Sequence, residues 1–484
     1  MRFDSYSFVV FSLAAALLIR SCRGTVLHRW AIAAANAVFL ASFADRPLDL
    51  LPLLAFGAIG YAAIACADRH LGVLIAAVVV LFVWLKRYNA FGSLPTFPIA
   101  YVTVGLSYIL FRILHLMIDV GQGELRRPSP LDFWNYVLFF PSFVSGPIQR
   151  YDDFSRQIAS AADATPLDVD RTVNRVLLGY IFIVVIAPWL LDVTGIEQAS
   201  LYVDFDTKTL GLYGIIHFAG AAALFLFYLY FNFAGYMHIV IGFSGLAGIE
   251  LPENFNAPFR TANFMDFWTR WHITLADWFR YYLFNPLAKF LIARWGNPTT
   301  LPYLGAVAFF CTFLVMGIWH GPTRIFVVYG LFLGAGVTAT KIWQIEMTKR
   351  LGKGGYRRLA SNVLYQSICR AAALSYFALS LTCVWIDGGH RNDFLSRGGL
   401  LAAAGAVAAL TLLGAVIDLA VRLIAGGWKA SAPSIGRERS AEAGLPATGC
   451  GFALAAWTAA KICAVGAVLV MFGSAAPEFV YKAF

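Results

Sequence analysis

The fold of this chain is decided by residues 301–322, LPYLGAVAFFCTFLVMGIWHGP. The run from Leu301 to Trp319 has no charged side chain and is long enough to cross a bilayer as a helix, which takes about 17–25 residues. Because Gly321 and Pro322 stop a helix, the helix is predicted to end near His320. An imidazole at a helix end has free main-chain groups beside it, and a titratable ring at membrane depth indicates a functional site.

The composition of the whole chain agrees with a membrane protein. Of 484 residues, 60% are hydrophobic and 13% are charged, whereas soluble domains carry roughly 25% charged residues. We predict an all-α polytopic fold, a bundle of about 11–13 transmembrane helices. The apolar stretches that approach spanning length lie near residues 6–20, 31–45, 48–66, 71–85, 95–118, 173–193, 209–232, 235–250, 301–319, 325–340, 367–386, 400–424 and 451–473.

We interpret the formal charge of +10 as a signal of membrane topology, because lysine and arginine collect in cytoplasmic loops. We do not expect a nucleic-acid partner. Two basic loops, separated by two crossings, are both predicted to be cytoplasmic. They contain Lys341, Lys349, Arg350, Lys353, Arg357 and Arg358 in the first, and Arg422, Lys429, Arg437 and Arg439 in the second. Counting back from Lys341 places His320 toward the outer face and Arg270 at the inner face, so His272 and His320 approach the middle of the membrane from opposite ends.

Four stretches are predicted not to be simple spans. Residues 131–160 mix aromatic residues with prolines and a glycine, as in a re-entrant segment buried in protein. Residues 251–262 are predicted to form a loop, and residues 263–290 an amphipathic helix at the interface. Residues 429–449 are rich in Ser, Gly, Pro and Ala and form a predicted linker before the last apolar stretch.

Two histidines are candidates for chemistry. His320 can accept a proton from a hydroxyl nucleophile, since an imidazole has an ordinary pKa of about 6.5. The alternative is a histidine that only caps helix carbonyls. His272 is a candidate for orienting an acceptor or polarising an acyl carbonyl, and its alternative is an interfacial histidine beside Trp271.

The remaining histidines show no metal-ligand spacing such as His-x-x-x-His, so we predict no metal and no bound cofactor. They are His28, His70, His115, His217, His238 and His390. The sequence also has no Gly-rich phosphate loop and no Gly-x-Ser-x-Gly elbow, which disfavours nucleotide hydrolysis and serine-hydrolase chemistry.

The last residues of the sequence, PEFVYKAF at 477–484, follow an apolar stretch. The topology count places Tyr481 on the outer side of the membrane. An aromatic cluster of this kind is typical of an anchor at the membrane interface. The alternative is chemical, because a tyrosine oxygen can carry an acyl group as a covalent relay.

Three motifs, in order along the chain, resemble the membrane-bound O-acyltransferase family. They are PENFNAPF at 252–259, FWTRWHITLADWFR at 267–280 and MGIWHG at 316–321. Phe140-Pro141 and the stretch SGPIQRY at 145–151 resemble an upstream signature of the same family. The resemblance is specific across about residues 95–340 and looser outside them.

The resemblance implies a ring of transmembrane helices with re-entrant and interfacial helices around a central funnel and tunnel. It implies that His320 is the catalytic histidine and His272 the second histidine. Donors in the family are acyl thioesters, here either an acyl carrier phosphopantetheine or acyl-CoA, and acceptors are hydroxyl groups. We expect substrate-binding roles for Trp319, Arg270, Trp271, Asn254, Asn256, Arg280, Arg324 and His238.

Two bacterial branches of the family are similar to this chain. Residues 145–148 and Met316-Gly317 resemble the branch that transfers D-alanine in the teichoic-acid pathway. The opening Phe3-x-Ser5-x-x-Phe8, the overall length and the helices after residue 360 resemble the alginate O-acetylation branch. We therefore expect transfer of a short acyl group, with acetyl favoured over D-alanyl.

The end of the chain and two departures bear on the acyl group. Phe479-x-Tyr481-x-x-Phe484 resembles the C-terminal motif of the small membrane peptide that accompanies the D-alanyl system, which implies Tyr481 as an acyl relay. His238 stands where the alginate branch carries an acidic residue. Arg324 follows the catalytic motif where an aromatic residue is common nearby, and it is expected to meet an anionic group or to extend to the interface.

These predictions divide the chain into five parts: N-terminal transmembrane helices (1–94), a catalytic core (95–340), C-terminal transmembrane helices (341–428), the linker (429–449) and a terminal transmembrane helix with its tail (450–484). We expect a multi-pass protein of a bacterial inner membrane. Its expected partners are the lipid bilayer, a cytoplasmic acyl donor or carrier protein, and an extracytoplasmic acyltransferase that accepts the acyl group for a cell-envelope polymer.

Two other classes of protein stay open. A transporter or flippase also has about a dozen helices and intramembrane histidines, although it would be expected to show inverted halves, which the sequence does not. A membrane scaffold without chemistry would tolerate substitution of both His320 and Tyr481.

Overall fold

The computed structural model describes residues 3, 5–88, 101–159, 168–194, 212–385, 399–431 and 461. These ranges are helical apart from turns, loops and one isolated β-bridge between Phe255 and Trp271. The first nine α-helices are α1 (Tyr6–Ser21), α2 (Leu27–Ala41), α3 (Leu51–Ile64), α4 (Ala67–Leu85), α5 (Leu106–Gly121), α6 (Pro130–Val137), α7 (Tyr151–Ala159), α8 (Val169–Tyr180) and α9 (Ala187–Thr194).

The second half continues with nine more helices. They are α10 (Leu212–Ala247), α11 (Phe264–Phe267), α12 (Ile273–Phe279), α13 (Asn285–Trp295), α14 (Leu301–Trp319), α15 (Arg324–Ser361), α16 (Val363–Ser380), α17 (Thr382–Trp385) and α18 (Gly399–Ser431). A π-helical segment, Ile181–Ile186, joins α8 to α9, and a second one, Arg280–Phe284, joins α12 to α13.

Eight helical segments of the described ranges are long and apolar enough to cross a membrane. They are Pro47–Ile64, Ala67–Leu85, Val169–Val193, Phe218–Ala247, Leu301–Trp319, Arg324–Ser361, Val363–Trp385 and Ala403–Arg422. The all-α, multi-pass membrane fold predicted from composition is therefore confirmed. The shorter helices α1, α2 and α5 have 16, 15 and 16 residues.

One predicted boundary between spans is wrong. Residues 209–232 and 235–250 were expected to cross separately, but α10 runs unbroken through Gly235 for 36 residues. Gly235 is a packing position: a Cβ there would lie 2.9 Å from the carbonyl oxygen of Gly179 on α8. Small residues let two helices approach closely in lipid, so this glycine joins α10 to α8 and does not end a helix.

A second difference concerns the basic loop predicted after residue 340. The helix α15 continues from Arg324 to Ser361, with a kink at Gly352, where φ is +70°. Its last turns carry the lysines and arginines, and Lys349 pairs with Glu346 one turn earlier at 3.5 Å. The charged stretch is therefore a helical extension beyond the apolar span.

The helices α14 and α15 form a tightly packed hairpin. A Cβ on Gly317 of α14 would lie 2.1 Å from the Cα of Gly330, and one on Gly334 would lie 2.9 Å from the carbonyl oxygen of Phe310. The backbones of α14 and α15 are therefore in direct contact at two positions along the two helices. The hairpin holds His320, the residue that follows α14, in a fixed position.

The stretch predicted to be re-entrant is buried inside the protein, as expected for non-helical backbone at membrane depth. It consists of α6, a 3₁₀ turn at Phe140–Ser142, an extended segment and α7. Arg112 of α5 is 2% exposed and binds the turn. Its guanidinium donates to the carbonyl oxygens of Tyr136 and Val137 at 2.9 and 2.8 Å, and to the carbonyl oxygen and hydroxyl of Ser142.

The order of the helices assigns most of the positive charge to one end of the bundle. If α1 to α5, α8–α9, α10, α14, α15, α16–α17 and α18 cross in turn, then the ends of α1, α10 and α15 and the starts of α8 and α14 share one side. We call this side the basic end; it carries Arg20, Arg23, Arg69, Arg126, Arg171, Arg175, Lys349, Arg350, Arg357 and Arg358. Excess Lys and Arg predict that the basic end is cytoplasmic.

Candidate active site

His320 lies at the C-terminal end of α14, inside the protein. Its main-chain N–H donates to the carbonyl oxygen of Gly317 at 3.1 Å, and the residue is 5% exposed. The imidazole packs against the ring of Trp319, with centroids 4.9 Å apart, and against Tyr329 of α15 at 5.6 Å. The sequence prediction of a buried histidine at a helix end is confirmed.

Trp319 supports His320 and presents a polar group next to it. The hydroxyl of Tyr88 donates to the Trp319 carbonyl oxygen at 3.1 Å, and Phe111 of α5 packs against the indole at 4.8 Å. The indole Nε1–H is buried and has no hydrogen-bond partner within the described part of the chain. A buried, unpartnered donor beside a buried imidazole suits a bound carbonyl oxygen.

His272 begins α12 in a left-handed conformation, with φ of +46°, and is 1% exposed. The segment predicted as one amphipathic helix over 263–290 is broken here. Two interactions cause the break: the β-bridge from Trp271 to Phe255, and a hydrogen bond between His272 Nδ1 and Asn254 Oδ1 at 3.2 Å. A non-glycine residue with positive φ is strained, and such positions cluster at functional sites.

The neighbours of Asn254 fix the proton on His272. Asn254 Oδ1 accepts hydrogen bonds from the main-chain N–H of Thr274 at 3.1 Å and from its hydroxyl at 3.0 Å. These two bonds identify Oδ1 as the amide oxygen, which can only accept hydrogen bonds. His272 Nδ1 must therefore carry the hydrogen that it shares with Asn254 Oδ1. Nε2 is then the basic nitrogen of His272.

The two histidines belong to one site. Burial lowers the pKa of His272 well below its ordinary range, and the nearby imidazole of His320 lowers it further. His272 therefore stays neutral at physiological pH. Its ring also lies edge-on to Phe233 of α10, with centroids 4.8 Å apart. Burial also lowers the pKa of His320, so this imidazole is neutral too. The structure thus brings together α14, the loop 248–272 and α10 around two neutral imidazoles.

Two residues expected at the substrate have contacts within the protein. Asn254 is completely buried, its amide nitrogen faces Met237 Sδ at 3.4 Å, and its oxygen holds His272. Trp271 is 2% exposed and packs against Phe255, with ring centroids 5.1 Å apart. The structure gives Asn254 a positioning role and Trp271 a packing role, and direct contact of either residue with substrate stays a prediction.

The polar residues expected to bind substrate lie nearer the surface. Arg270 pairs with Asp266 at 3.0 Å, and its carbonyl oxygen accepts from the main-chain N–H of Asn256 at 2.9 Å. Arg280 pairs with Asp277 at 2.8 Å, and both Arg280 and Asn256 are exposed.

The remaining expected site residues are scattered. Arg324 is exposed at the start of α15, and His238 packs against Phe182 with ring centroids 5.8 Å apart. Neither has a described contact with His272 or His320. Tyr481 lies outside the described residues; of that terminal part only Lys461 is described, and its amine contacts Asp170 of α8.

Sequence reasoning missed two supports of the site. Arg112 is a lone charge inside the apolar run before residue 118, a signal that marks a functional or structural position in a membrane. Thr274 follows His272 by two residues; its hydroxyl accepts from the main-chain N–H of Ile148 at 3.0 Å while donating to Asn254. Nothing in the sequence pattern around Thr274 reveals this link, because it joins segments more than 100 residues apart.

Two comparisons with known proteins, one with family models and one with individual proteins, indicate the same family. Residues 73–382 match the family described as MBOAT, membrane-bound O-acyltransferase. Teichoic acid D-alanyltransferase of Streptococcus thermophilus is 30% identical over 54% of this chain and 62% of its own length. The same enzyme of Bacillus subtilis is 32% identical over 47% of this chain and 56% of its own. Probable alginate O-acetylase AlgI of Pseudomonas fluorescens is 30% identical over 51% and 46%.

The matched parts span less than two thirds of the length of each of these relatives. The family match at residues 73–382 includes the described residues of the two-histidine site. The family match covers more than half of the sequence, and its fold is the helical membrane fold described above. This chain therefore belongs to the membrane-bound O-acyltransferase family.

Proposed function

We propose that this protein transfers a short acyl group from a thioester donor to a hydroxyl acceptor during modification of a cell-envelope polymer. The observation that carries the proposal is the pairing of two buried, neutral imidazoles, one at the end of α14 and one held by Asn254. A family match and relatives that act as acyltransferases support it.

In the proposed reaction His320 accepts the proton of the acceptor hydroxyl as its oxygen attacks the thioester carbonyl. The new C–O bond forms, the C–S bond breaks, and the proton passes from His320 to the leaving thiolate. The indole Nε1–H of Trp319 is placed to bind the carbonyl oxygen as it becomes negative. Burial of both histidines limits competing hydrolysis of the donor by water.

Two acyl groups fit the proposal. Acetyl is our first choice because of the overall length and the opening motif, and the similarity to probable alginate O-acetylases supports it. D-alanyl is the second choice, and the similarity to teichoic acid D-alanyltransferases over a larger share of their length supports it. The donor is proposed to enter from the basic end, as acyl-CoA or an acylated carrier protein, and the acyl group to pass to an acyltransferase outside the cytoplasm.

The test uses purified full-length protein in lipid nanodiscs with radiolabelled acetyl-CoA or a D-alanyl carrier protein and a polyol acceptor. We expect label in an ester product from one donor. His320→Ala should lower the rate by about 10²–10⁴-fold, the usual contribution of a general base. The matched control is His70→Ala, which removes an exposed imidazole from the start of α4. Normal turnover by His320→Ala would refute the proposed mechanism, and transport of solute without any ester product would favour the transporter class.

The same assay tests the proposed relay at Tyr481. Mass spectrometry of the C-terminal peptide should find an acyl adduct on Tyr481, and Tyr481→Phe should lose both the adduct and acyl transfer to polymer. If Tyr481→Phe modifies polymer normally, the tail is an interface anchor.

A further inference from the structure

A polar cavity lies at the basic end of the bundle. It has a volume of about 380 Å³ and lies between the end of α1, the start of α8 and the end of α10. Four arginines line it, Arg20 and Arg23 from the end of α1, and Arg171 and Arg175 from α8. The cavity shares no lining residue with the two-histidine site, although Glu253 in its wall directly precedes Asn254.

Three carboxylates, Asp168, Glu250 and Glu253, share the lining with the four arginines and leave a net formal charge of +1, but only one of the arginines is ion-paired within the described part of the chain. Glu253 forms a two-point pair with Arg175, with one oxygen at 2.6 Å. Asp168 caps the start of α8 by accepting from the main-chain N–H of Arg171 at 2.9 Å, and Glu250 is exposed at the rim. For Arg20, Arg23 and Arg171 no carboxylate lies within ion-pair distance among the described residues.

Two of the guanidinium groups also carry buried N–H donors without a partner. These are the Nε atoms of Arg23 and Arg175, which have no hydrogen bond within the part of the chain that the structure describes. Arg23 is fixed in place, because its Nη2 donates to the carbonyl oxygen of Gly248 at 3.1 Å, and Gly248 has φ of +85°. Buried donors that lack partners in a cavity indicate an acceptor supplied from outside the chain.

Two glycines of α10, Gly242 and Gly245, lie in the wall of the cavity. A Cβ added to Gly245 would contact only the methyl group of Thr172, at 3.7 Å, so the wall is open there, whereas Gly242 packs against Val176. The volume of the cavity is large enough for a phosphate group. Guanidinium groups bind phosphate through paired, charge-assisted hydrogen bonds.

We propose that this cavity binds a phosphate group through Arg20, Arg23 and Arg171. The phosphate has two possible sources: the headgroup of an anionic phospholipid, which reaches helix ends at the membrane surface, and a soluble phosphate compound such as coenzyme A. The chemistry at the arginines is the same for both. Binding is independent of acyl transfer, so the site can be tested whether or not the proposed enzymatic function is correct.

The experiment measures thermal unfolding of the full-length protein in dodecyl maltoside, because a ligand that binds the folded state raises the midpoint. Four additions are compared: phosphatidylglycerol, phosphatidylcholine, coenzyme A and inorganic phosphate. The test variant is Arg20→Gln/Arg171→Gln, since neither side chain has a hydrogen bond or ion pair in the described residues whose loss would unfold the protein. The control is Arg69→Gln/Arg126→Gln, which removes two exposed arginines from the same end.

Stabilisation by phosphatidylglycerol but not phosphatidylcholine identifies a lipid headgroup as the source, and stabilisation by coenzyme A or inorganic phosphate identifies a soluble one. In either case the apparent affinity should fall about tenfold or more in Arg20→Gln/Arg171→Gln and stay unchanged in the control. The proposal is overturned if none of the phosphate compounds stabilises the wild type, or if both double variants lose the effect equally.

Discussion

At the scale of single residues, the most consequential contact is between Asn254 and His272. The asparagine oxygen accepts three hydrogen bonds and determines which nitrogen of the second histidine is basic. The residue that orients a catalytic group is often as important as the group itself, because the ring must present the correct nitrogen.

Asn254→Asp tests this contact through pH dependence. A carboxylate next to Nδ1 favours the charged form of His272 and should raise its pKa, whereas burial holds the wild-type pKa well below its ordinary range. The variant should therefore lose acyl transfer as the pH falls, at a higher pH than the wild type, and recover toward alkaline pH. The pH–rate profile is the measurement.

Asn297→Asp provides the matched comparison, since Asn297 is exposed in the turn before α14 and aspartate keeps the side-chain oxygen that accepts from the main-chain N–H groups of Thr299 and Thr300. Its profile should keep the wild-type shape. An Asn254→Asp profile that superimposes on the wild-type curve would show that this hydrogen bond does not control His272.

At the scale of helices, the position of His320 depends on the approach of α14 to α15. Gly317 lies three residues before His320, and its missing side chain allows the backbone of Gly330 to touch α14. Neither helix can move away without moving Trp319 and His320, so packing between the helices sets the geometry of the site.

Gly317→Ala should therefore destabilise the protein by about 1–3 kcal/mol, the usual effect of overpacking, and lower acyl transfer. The added Cβ would lie 2.1 Å from the Cα of Gly330, and backbone cannot turn aside as a flexible side chain does. Thermal unfolding in detergent measures the loss.

Gly305→Ala is the control on the same helix, because a Cβ at Gly305 would have nothing within 4 Å. Alanine has the better helix propensity by about 1 kcal/mol, so this variant should be neutral or slightly more stable. Equal midpoints for Gly305→Ala and Gly317→Ala would show that the α14–α15 contact is not tight.

At the scale of the whole molecule, the distribution of lysine and arginine gives the bundle two different ends. The arginine-lined cavity and the charged extension of α15 lie at the basic end, whereas α14 runs from the basic end and has His320 at its opposite end. A donor from the cytoplasm and an acceptor from outside would then reach the histidines from opposite directions.

Native Cys66 permits a direct test of this topology, because it is exposed in the turn between α3 and α4 at the basic end. In a variant that keeps only Cys66, a membrane-impermeant maleimide should label inside-out vesicles and spare right-side-out vesicles or cells. Arg324→Cys in the same background should show the reverse pattern, since Arg324 is exposed at the opposite end. Labelling of Cys66 from outside the cell would show that the predicted orientation is wrong and that the basic end faces outward.

The sequence alone determined the class of fold, the span from Leu301 to Trp319 and the buried histidine at its end. Long apolar runs and a proline act locally, and the bilayer sets the length of a helix whatever its neighbours are. The same local signals wrongly divided one helix into the stretches 209–232 and 235–250, because sequence alone does not show that Gly235 lets α10 pack closely against α8.

Only the tertiary structure decided which residues support the two-histidine site. Asn254, Thr274 and Ile148 meet through hydrogen bonds between distant segments, and Arg112 holds a turn 30 residues away. Each helix break leaves backbone groups unpaired, and the hydrogen bonds that they form depend on where the fold places them. Composition and periodicity carry no information about that, since each buried polar group needs a partner but the sequence does not say which one.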